Sequence, residues 1–352
     1  LSYWCDAMPA PHQELYRSVL DSLVNSAEPS IRWKVRAGVL NEDPRSKDMR
    51  ALREEVRNSA RVRTLLAHRD KKGRLVRGRG VYDKWQGAHW ILAALADLGY
   101  PEGDKALVPV REQILDCWLD RQFYTEFEVA RKADAYKKRG VPVMQGRHRR
   151  CASQQGYALY FLLRLGLESE RVHDLVERLL HWRWPDGGWN CDKEPSASKS
   201  TFIHTIHSLR GLHLYGSRFR NRKALDAAKE ASEIFLSRCL YKRKSNGAVI
   251  KEEFIRLHYP LYWHYDFLFG LKVMTEIGRI RDPRCADALD LLESRQLPGG
   301  GWPAERRYYS VSKDITLHAD YVDWGGTSTS RMNPWVTADA LSVLRSAGRW
   351  DP

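Results

Sequence analysis

Long apolar runs are missing from this sequence. Nowhere do about 18 apolar residues follow one another, the length a bilayer core demands, so no membrane span is expected. The first residues, LSYWCDAMPAPHQ, lack a basic segment followed by an apolar one, so no signal peptide is read there. Cysteine is sparse, with six in 352 residues, at 5, 117, 151, 191, 239 and 285, and no C-x-x-C pair. That spacing does not look like a disulfide framework in a chain this long, and reduced thiols in a cytoplasmic setting are expected. No P-loop, Rossmann glycine pattern or Ser-His-Asp signature stands out, and convincing alternating strands are absent. Acidic charge also falls short, since 44 Asp and Glu face 58 Lys and Arg for a net of +14. Such an imbalance suits an anionic partner, whether a phosphate-bearing small molecule, a nucleic acid or an acidic lipid surface. A solvated basic surface without a partner is the plain alternative.

What is present is helical periodicity over an apolar content of 43%, ample for a core. Helices are expected near 12–25, 31–40, 49–66, 84–99, 105–122, 152–166, 169–182, 200–215, 223–239, 260–277, 283–296 and 334–347, and they fall into two alternating kinds. Segments such as DLVERLLHWRW and CADALDLLESRQL are charged on one side and belong outside. Segments such as CASQQGYALYFLLRLG and TFIHTIHSLRGLHLYG are apolar nearly all round and must be buried. The buried set is 31–40, 84–99, 152–166, 200–215, 260–277 and 334–347. Glycines at 99, 166, 216, 278 and 348 read as left-handed helix ends and mark a degenerate repeat.

The expected fold is therefore all-α, a single (α/α)6 toroid of six helical hairpins spanning 1–352. Links from inner to outer helices are short. Those from outer to inner helices, at 67–83, 123–151, 183–199, 240–259 and 297–333, are long and lie on one rim, which is the expected working face. The rim carries much of the basic excess, in HRDKKGRLVRGRG (68–80), RKADAYKKRG (131–140), GRHRR (146–150) and KRK (242–244).

LPGGGW (297–302) and WPDGGW (184–189) resemble the Q-x-x-x-G-x-W repeat of terpenoid cyclases and protein prenyltransferases, and FIHTIHSLRGL (202–212) resembles the prenyltransferase helix that carries a zinc-binding histidine. As a whole the chain looks like a bacterial squalene-cyclase-like or prenyltransferase-like family without an established reaction. The Gly-Gly-Trp turns read as scaffold, with Trp189 and Trp302 capping gaps between hairpins. If Gly166 and Gly216 are equivalent helix ends, His204 matches Gln154, Cys151 sits one turn nearer the rim, and Cys191 lies in the loop feeding the His204 helix. Cys151, Cys191 and His204 then meet as zinc ligands with a fourth position open. The resemblance implies a similar site, Asp, Cys and His in prenyltransferases and Cys, Cys and His in lanthionine cyclases. Arg149 stands where the prenyltransferase Asp is, two residues before the cysteine. A structural reading competes, because buried cysteines and histidines are common without any ion.

Asp266 is the expected fourth ligand or general base, with His207 one turn deeper behind the ligands. Lys84, Arg147, Arg149 and Arg150 are expected to bind the anion, and Trp85, His89, Tyr157, Trp263 and Trp335 to line an apolar pocket. The expected function is zinc-dependent alkyl transfer of the prenyltransferase kind, on an anionic, partly apolar substrate such as a prenyl diphosphate. Two alternatives stand beside it. One is an isoprenoid cyclase without the Asp-rich motifs such enzymes use, none of which occurs here. The other is a non-catalytic nucleic-acid-binding protein whose rim contacts phosphates.

Overall fold

The computed structural model describes residues 10–76, 78, 80–314 and 316–352. Cys5, Arg77 and Arg79 lie outside the described residues. Among those described there are thirteen α-helices: α1 (Ala10–Val24), α2 (Pro29–Gly38), α3 (Lys47–Arg57), α4 (Ala60–Leu66), α5 (Ala88–Leu98), α6 (Val108–Trp118), α7 (Ser153–Arg164), α8 (Arg171–His181), α9 (Phe202–Phe219), α10 (Arg222–Leu236), α11 (Phe267–Glu276), α12 (Ala286–Ser294) and α13 (Pro334–Ala347). The chain is mostly helical, and no described helix is long and apolar enough to cross a membrane.

The two kinds of helix differ as their patterns require. α8 buries only Val172, Leu175, Val176 and Leu179, one stripe at helical spacing. α7 buries all but its second and last residues, Gln154 and Arg164. The deeply buried helices touch in a closed cycle, α2 to α5, α7, α9, α11, α13 and back to α2. Each of them turns its middle or later residues toward one cavity of about 450 Å³. Their first turns therefore point away from that cavity, toward the long loops.

Several helix boundaries differ from the periodicity. The segment 49–66 is two helices, because Ser59 leaves helical geometry and its hydroxyl accepts from Val62 N at 3.3 Å, starting α4 afresh. Gly99, Gly166, Gly278 and Gly348 are left-handed, but Gly216 is not an end. α9 runs on to Phe219 and closes with Arg220 in the left-handed region, φ 52°. Gly216 is instead needed for packing, since a Cβ there would lie 2.7 Å from Leu225 on α10. α11 begins only at Phe267, leaving residues 260–266 as an irregular lead-in. The loops also hold short strands: β1 (Glu126–Glu128), β2 (Val141–Met144), β3 (Arg147–His148), β4 (Ser310–Val311) and β5 (Ala319–Asp320). In the first sheet β2 is central, parallel to β1 and antiparallel to β3.

The two Gly-Gly-Trp turns have the same construction. Trp189 Nε1 donates to Leu179 O at 2.9 Å and Trp302 Nε1 to Leu292 O at 2.7 Å, each ten residues back on the preceding outer helix. Their main-chain N–H groups reach a threonine hydroxyl on the following inner helix, Thr205 at 3.2 Å and Thr337 at 2.9 Å. Both indoles are buried. The turn is a joint between one hairpin and the next.

The interior is filled by charge pairs and rings. Lys34 of α2 and Lys272 of α11 each bridge Asp97 of α5 and Asp339 of α13, at 2.8 to 3.0 Å. Breaking one member of such a buried set leaves an uncompensated charge, so the set fixes which helices are neighbours. Between it and the loops, Trp85 stacks on Tyr262 at 4.0 Å and Tyr157 on His207 at 4.2 Å.

α7 and α9 pack with almost no side chain between them. A Cβ on Gly156 would lie 2.4 Å from Ser208 Cα, and one on Gly211 would lie 2.4 Å from Gly156 O. Both obstacles are backbone and cannot step aside. Gly156→Ala is therefore expected to destabilise the protein by about 1–3 kcal/mol, as overpacking does. Urea unfolding measures this, and a midpoint equal to that of the wild type would refute so close a contact.

Candidate metal centre

Three chain segments build the centre. Cys151 lies two residues before α7, where its carbonyl accepts from Gln154 N at 3.2 Å. His204 is in the first turn of α9. Cys191 lies in the loop from α8 to α9, closed at its neck by Thr201 N donating to Trp189 O at 3.1 Å and by Asn190 Nδ2 donating to Lys199 O at 2.9 Å. Because α7 and α9 are in direct contact, their starts are adjacent. The Trp189 joint then delivers Cys191 to the same place.

The sulfurs of Cys151 and Cys191 and a ring nitrogen of His204 all lie within 4.8 Å of one another. Cys191 Sγ is 3.1 Å from His204 Nε2, and the other ring nitrogen, Nδ1, is 2.6 Å from Thr201 Oγ1. A hydroxyl on the outer nitrogen sets the ring's orientation, the kind of support that metal-ligating histidines usually have. All three side chains are half-buried. Zinc–sulfur bonds of about 2.3 Å and zinc–nitrogen bonds of about 2.0–2.1 Å place tetrahedral S and N ligands roughly 3.5 Å apart. The Cys191–His204 separation is within a few tenths of an ångström of that edge, and Cys151 Sγ lies within 4.8 Å of both atoms. The donor set fits a zinc ion.

The electrostatics are those of a thiolate site. Hydrogen bonding from Cys191 is the largest influence on the Cys151 thiol; with the nearby His204 and the Arg150 guanidinium it outweighs burial and lowers the pKa to about 4. Cys191 is pushed the other way, because it keeps the proton it gives to Cys151 in that hydrogen bond. Arg150 donates to Gln154 Oε1 at 2.6 Å, lies over the Phe123 ring at 4.1 Å, and acts on both thiols. Lys84 also acts on Cys151, and Lys193 on both thiols. Burial raises the Tyr82 phenol, which bonds to Gln154 and feels both sulfurs. Neither Lys193 nor Tyr82 was expected from the sequence. Lys193 follows Cys191 by two residues in a loop without periodicity, and Tyr82 had no distinguishing neighbour.

No family model matches the chain, and no curated protein matches it. A crystal structure of a protein from Actinoplanes is similar over 95% of this chain and 99% of its own, at 15% identity and a TM-score of 0.44.

The other expected site residues are placed differently. Asp266 caps α11: Oδ1 accepts from Phe269 N at 2.7 Å, and Oδ2 accepts from His258 N at 3.1 Å and pairs with His258 Nδ1 at 2.8 Å. The carboxylate is fully buried beneath these contacts. The expectation failed because it placed residue 266 inside a helix that starts one residue later. His207 is buried, with its ring against Tyr157 and Phe269, and burial beside Arg210 holds it neutral. Arg149 does not offer its guanidinium to an anion. It is buried against Trp184 at 4.6 Å and donates to Asp192 O at 3.2 Å and Ala197 O at 2.9 Å, tying down the Cys191 loop. Arg147, half-buried, donates to Gln145 O at 3.1 Å.

Among the expected pocket residues, His89 is buried and its Nδ1 accepts from Trp118 Nε1 at 3.1 Å. Trp335 stacks on Tyr259 at 5.1 Å, and Trp85 Nε1 donates to Tyr308 O at 2.7 Å. These three are packed core. Tyr157 lines a void of about 20 Å³, while half-buried Trp263 carries the Lys84 ammonium 4.6 Å from its ring centre.

The lowered Cys151 thiol has a direct consequence in protein stripped of metal by a chelator. Thiolate is the reactive form, so alkylation of Cys151 is expected to keep its intrinsic rate from about pH 8 to about pH 5 and to slow only as pH falls toward about 4. Mass spectrometry of iodoacetamide-treated protein reads this out. A midpoint in the ordinary thiol range, near about 8.5, would contradict the assignment.

Proposed function

We propose that the closed helical cycle is an (α/α)6 toroid, that Cys151, Cys191 and His204 hold zinc at its loop rim, and that the protein is a transferase joining an anionic, partly apolar donor to a thiol. The observation that carries this reading is the convergence of two sulfurs and one imidazole nitrogen within 4.8 Å, from three segments with no local spacing signature. Zinc held by three protein ligands supplies Lewis acidity at an open fourth position, lowering the pKa of a thiol or water brought to it.

The chain's own residues supply the remainder. Thr201 holds the His204 ring, and Arg149 holds the loop that presents Cys191. Arg150, Lys84 and Lys193 surround the thiols with positive charge, suited to a diphosphate. The half-buried face of Trp263 beside Lys84 suits the apolar part of the same molecule. In such a transfer the carbon–oxygen bond to diphosphate breaks, a carbon–sulfur bond forms, and the diphosphate leaves as an anion toward those cations. The acceptor thiol releases its proton to solvent water before attack. A cyclase folding a long isoprenoid inside the ring is the less favoured reading. The void among Trp90, Tyr157, Tyr262 and Trp324 is about 20 Å³, too small for such a chain, and the cavity of about 450 Å³ is lined by charged groups such as Lys34, Asp97, Arg210 and Lys272, which do not suit one.

Metal-replete, gently purified protein is expected to hold one thiol-bound zinc, and Cys191→Ala is expected to contain one equivalent less than the wild type, as elemental analysis reads. Farnesyl diphosphate is expected to bind, with affinity falling about 10- to 100-fold in Arg150→Gln, in line with one charge-assisted hydrogen bond of about 1.5–3 kcal/mol. Absence of stoichiometric thiol-bound metal would remove the proposal. Steeply salt-dependent oligonucleotide binding that farnesyl diphosphate does not compete with would replace it with the nucleic-acid reading.

A further inference from the structure

The loops that carry the two thiols meet a second time. Glu126 stands on β1 and His148 on β3, both within the loop that ends at Cys151. His181 is the last residue of α8, where the loop carrying Cys191 begins. One carboxylate receives both rings: His148 Nε2 is 3.1 Å from Oε2, and His181 Nε2 is 2.8 Å from Oε1. The ring centres are 4.5 Å apart, and the three ligand atoms fall within 4.8 Å of one another.

We propose that Glu126, His148 and His181 form a second metal site, for a divalent first-row transition ion such as zinc or cobalt, which clamps the two thiol-bearing loops together. Two imidazoles and one carboxylate with positions left open is a donor set such ions favour. Ligand bonds of about 2.0–2.1 Å put tetrahedral ligand atoms roughly 3.3 Å apart, and the two ring-to-carboxylate distances of 3.1 and 2.8 Å lie within about 0.5 Å of that edge. Side-chain exposures of 28% for Glu126, 16% for His148 and 44% for His181 leave the site open to solvent, so water completes the coordination. With neutral rings the cluster carries the single negative charge of Glu126, which favours a dication in a chain of net +14.

The backbone holds the cluster without an ion. β2 lies between the two strands and pairs Val141 with Glu126 and Val143 with His148. Trp184, three residues beyond His181, donates from Nε1 to His148 O at 2.8 Å. Cys151 follows His148 by three residues, so an ion here restrains the approach of one thiol segment to the other. This site shares no ligand with the thiol centre, and its existence does not require that centre to bind metal.

Cobalt titration of chelator-stripped protein separates the two sites, because only thiolate ligands give an intense sulfur-to-cobalt charge-transfer band. The wild type is expected to take up two equivalents. Cys191→Ala keeps the equivalent without that band, whereas His181→Ala, a change at an exposed helix end, keeps only the equivalent with it. Glu126→Gln weakens the band-free step at least tenfold. Cobalt added to Cys191→Ala slows amide exchange across residues 141–148. Equal uptake and affinity in wild type, His181→Ala and Glu126→Gln would overturn the site, and unchanged exchange would overturn the clamp. A wild type lacking the charge-transfer band refutes the thiol centre alone.

Discussion

The contact between α7 and α9 governs where the chemistry sits. Gly156 and Gly211 remove the side chains that would hold these helices apart, so backbone meets backbone. Helices that touch so closely must also start close together, and Cys151 and His204 are at those starts. The loop from α8 into α9 has little choice of path once Trp189 is seated on Leu179 and Thr205. Cys191 is delivered to the other two by the same packing. A centre built this way takes its rigidity from two helix starts and from a loop pinned at its neck.

The middle of the helical cycle serves a different purpose. Two lysines and two aspartates from α2, α5, α11 and α13 alternate in space, so each helix is held to two others by charge. Aromatic rings occupy the layer between that lattice and the loops. Filling the interior confines any ligand of substantial size to the loop side or to the cavity of about 450 Å³ at the opposite end. The basic residues near the thiols divide by environment. Arg149 is buried among carbonyls and does structural work, whereas Arg150 acts on both sulfurs. Adjacent arginines thus have opposite roles because one side chain turns toward the Cys191 loop and the other toward the thiols.

The loops themselves gain order from pairing that periodicity does not reveal. β1, β2 and β3 are two to four residues long, too short to show alternation. They nevertheless set the position of Glu126 and His148, which lie 22 residues apart in the chain. His181 had seemed only a residue of an amphipathic helix. Its partner was invisible until that helix end was placed beside the small sheet.

Taken alone, the sequence determined the helical character, the division into exposed-stripe and buried helices, and the two Gly-Gly-Trp joints, because these depend on local periodicity and short-range turn chemistry. Equating Gly166 with Gly216 pointed to Cys151, Cys191 and His204, although Gly216 turned out to be a packing glycine inside α9. The tertiary structure alone decided that Asp266 caps a helix, that Arg149 anchors a loop, and that Glu126, His148 and His181 converge. A carboxylate or guanidinium has the same local pattern whether it faces solvent, a helix end or another loop. Its role follows from which backbone groups arrive beside it, and only the packing of distant segments sets that.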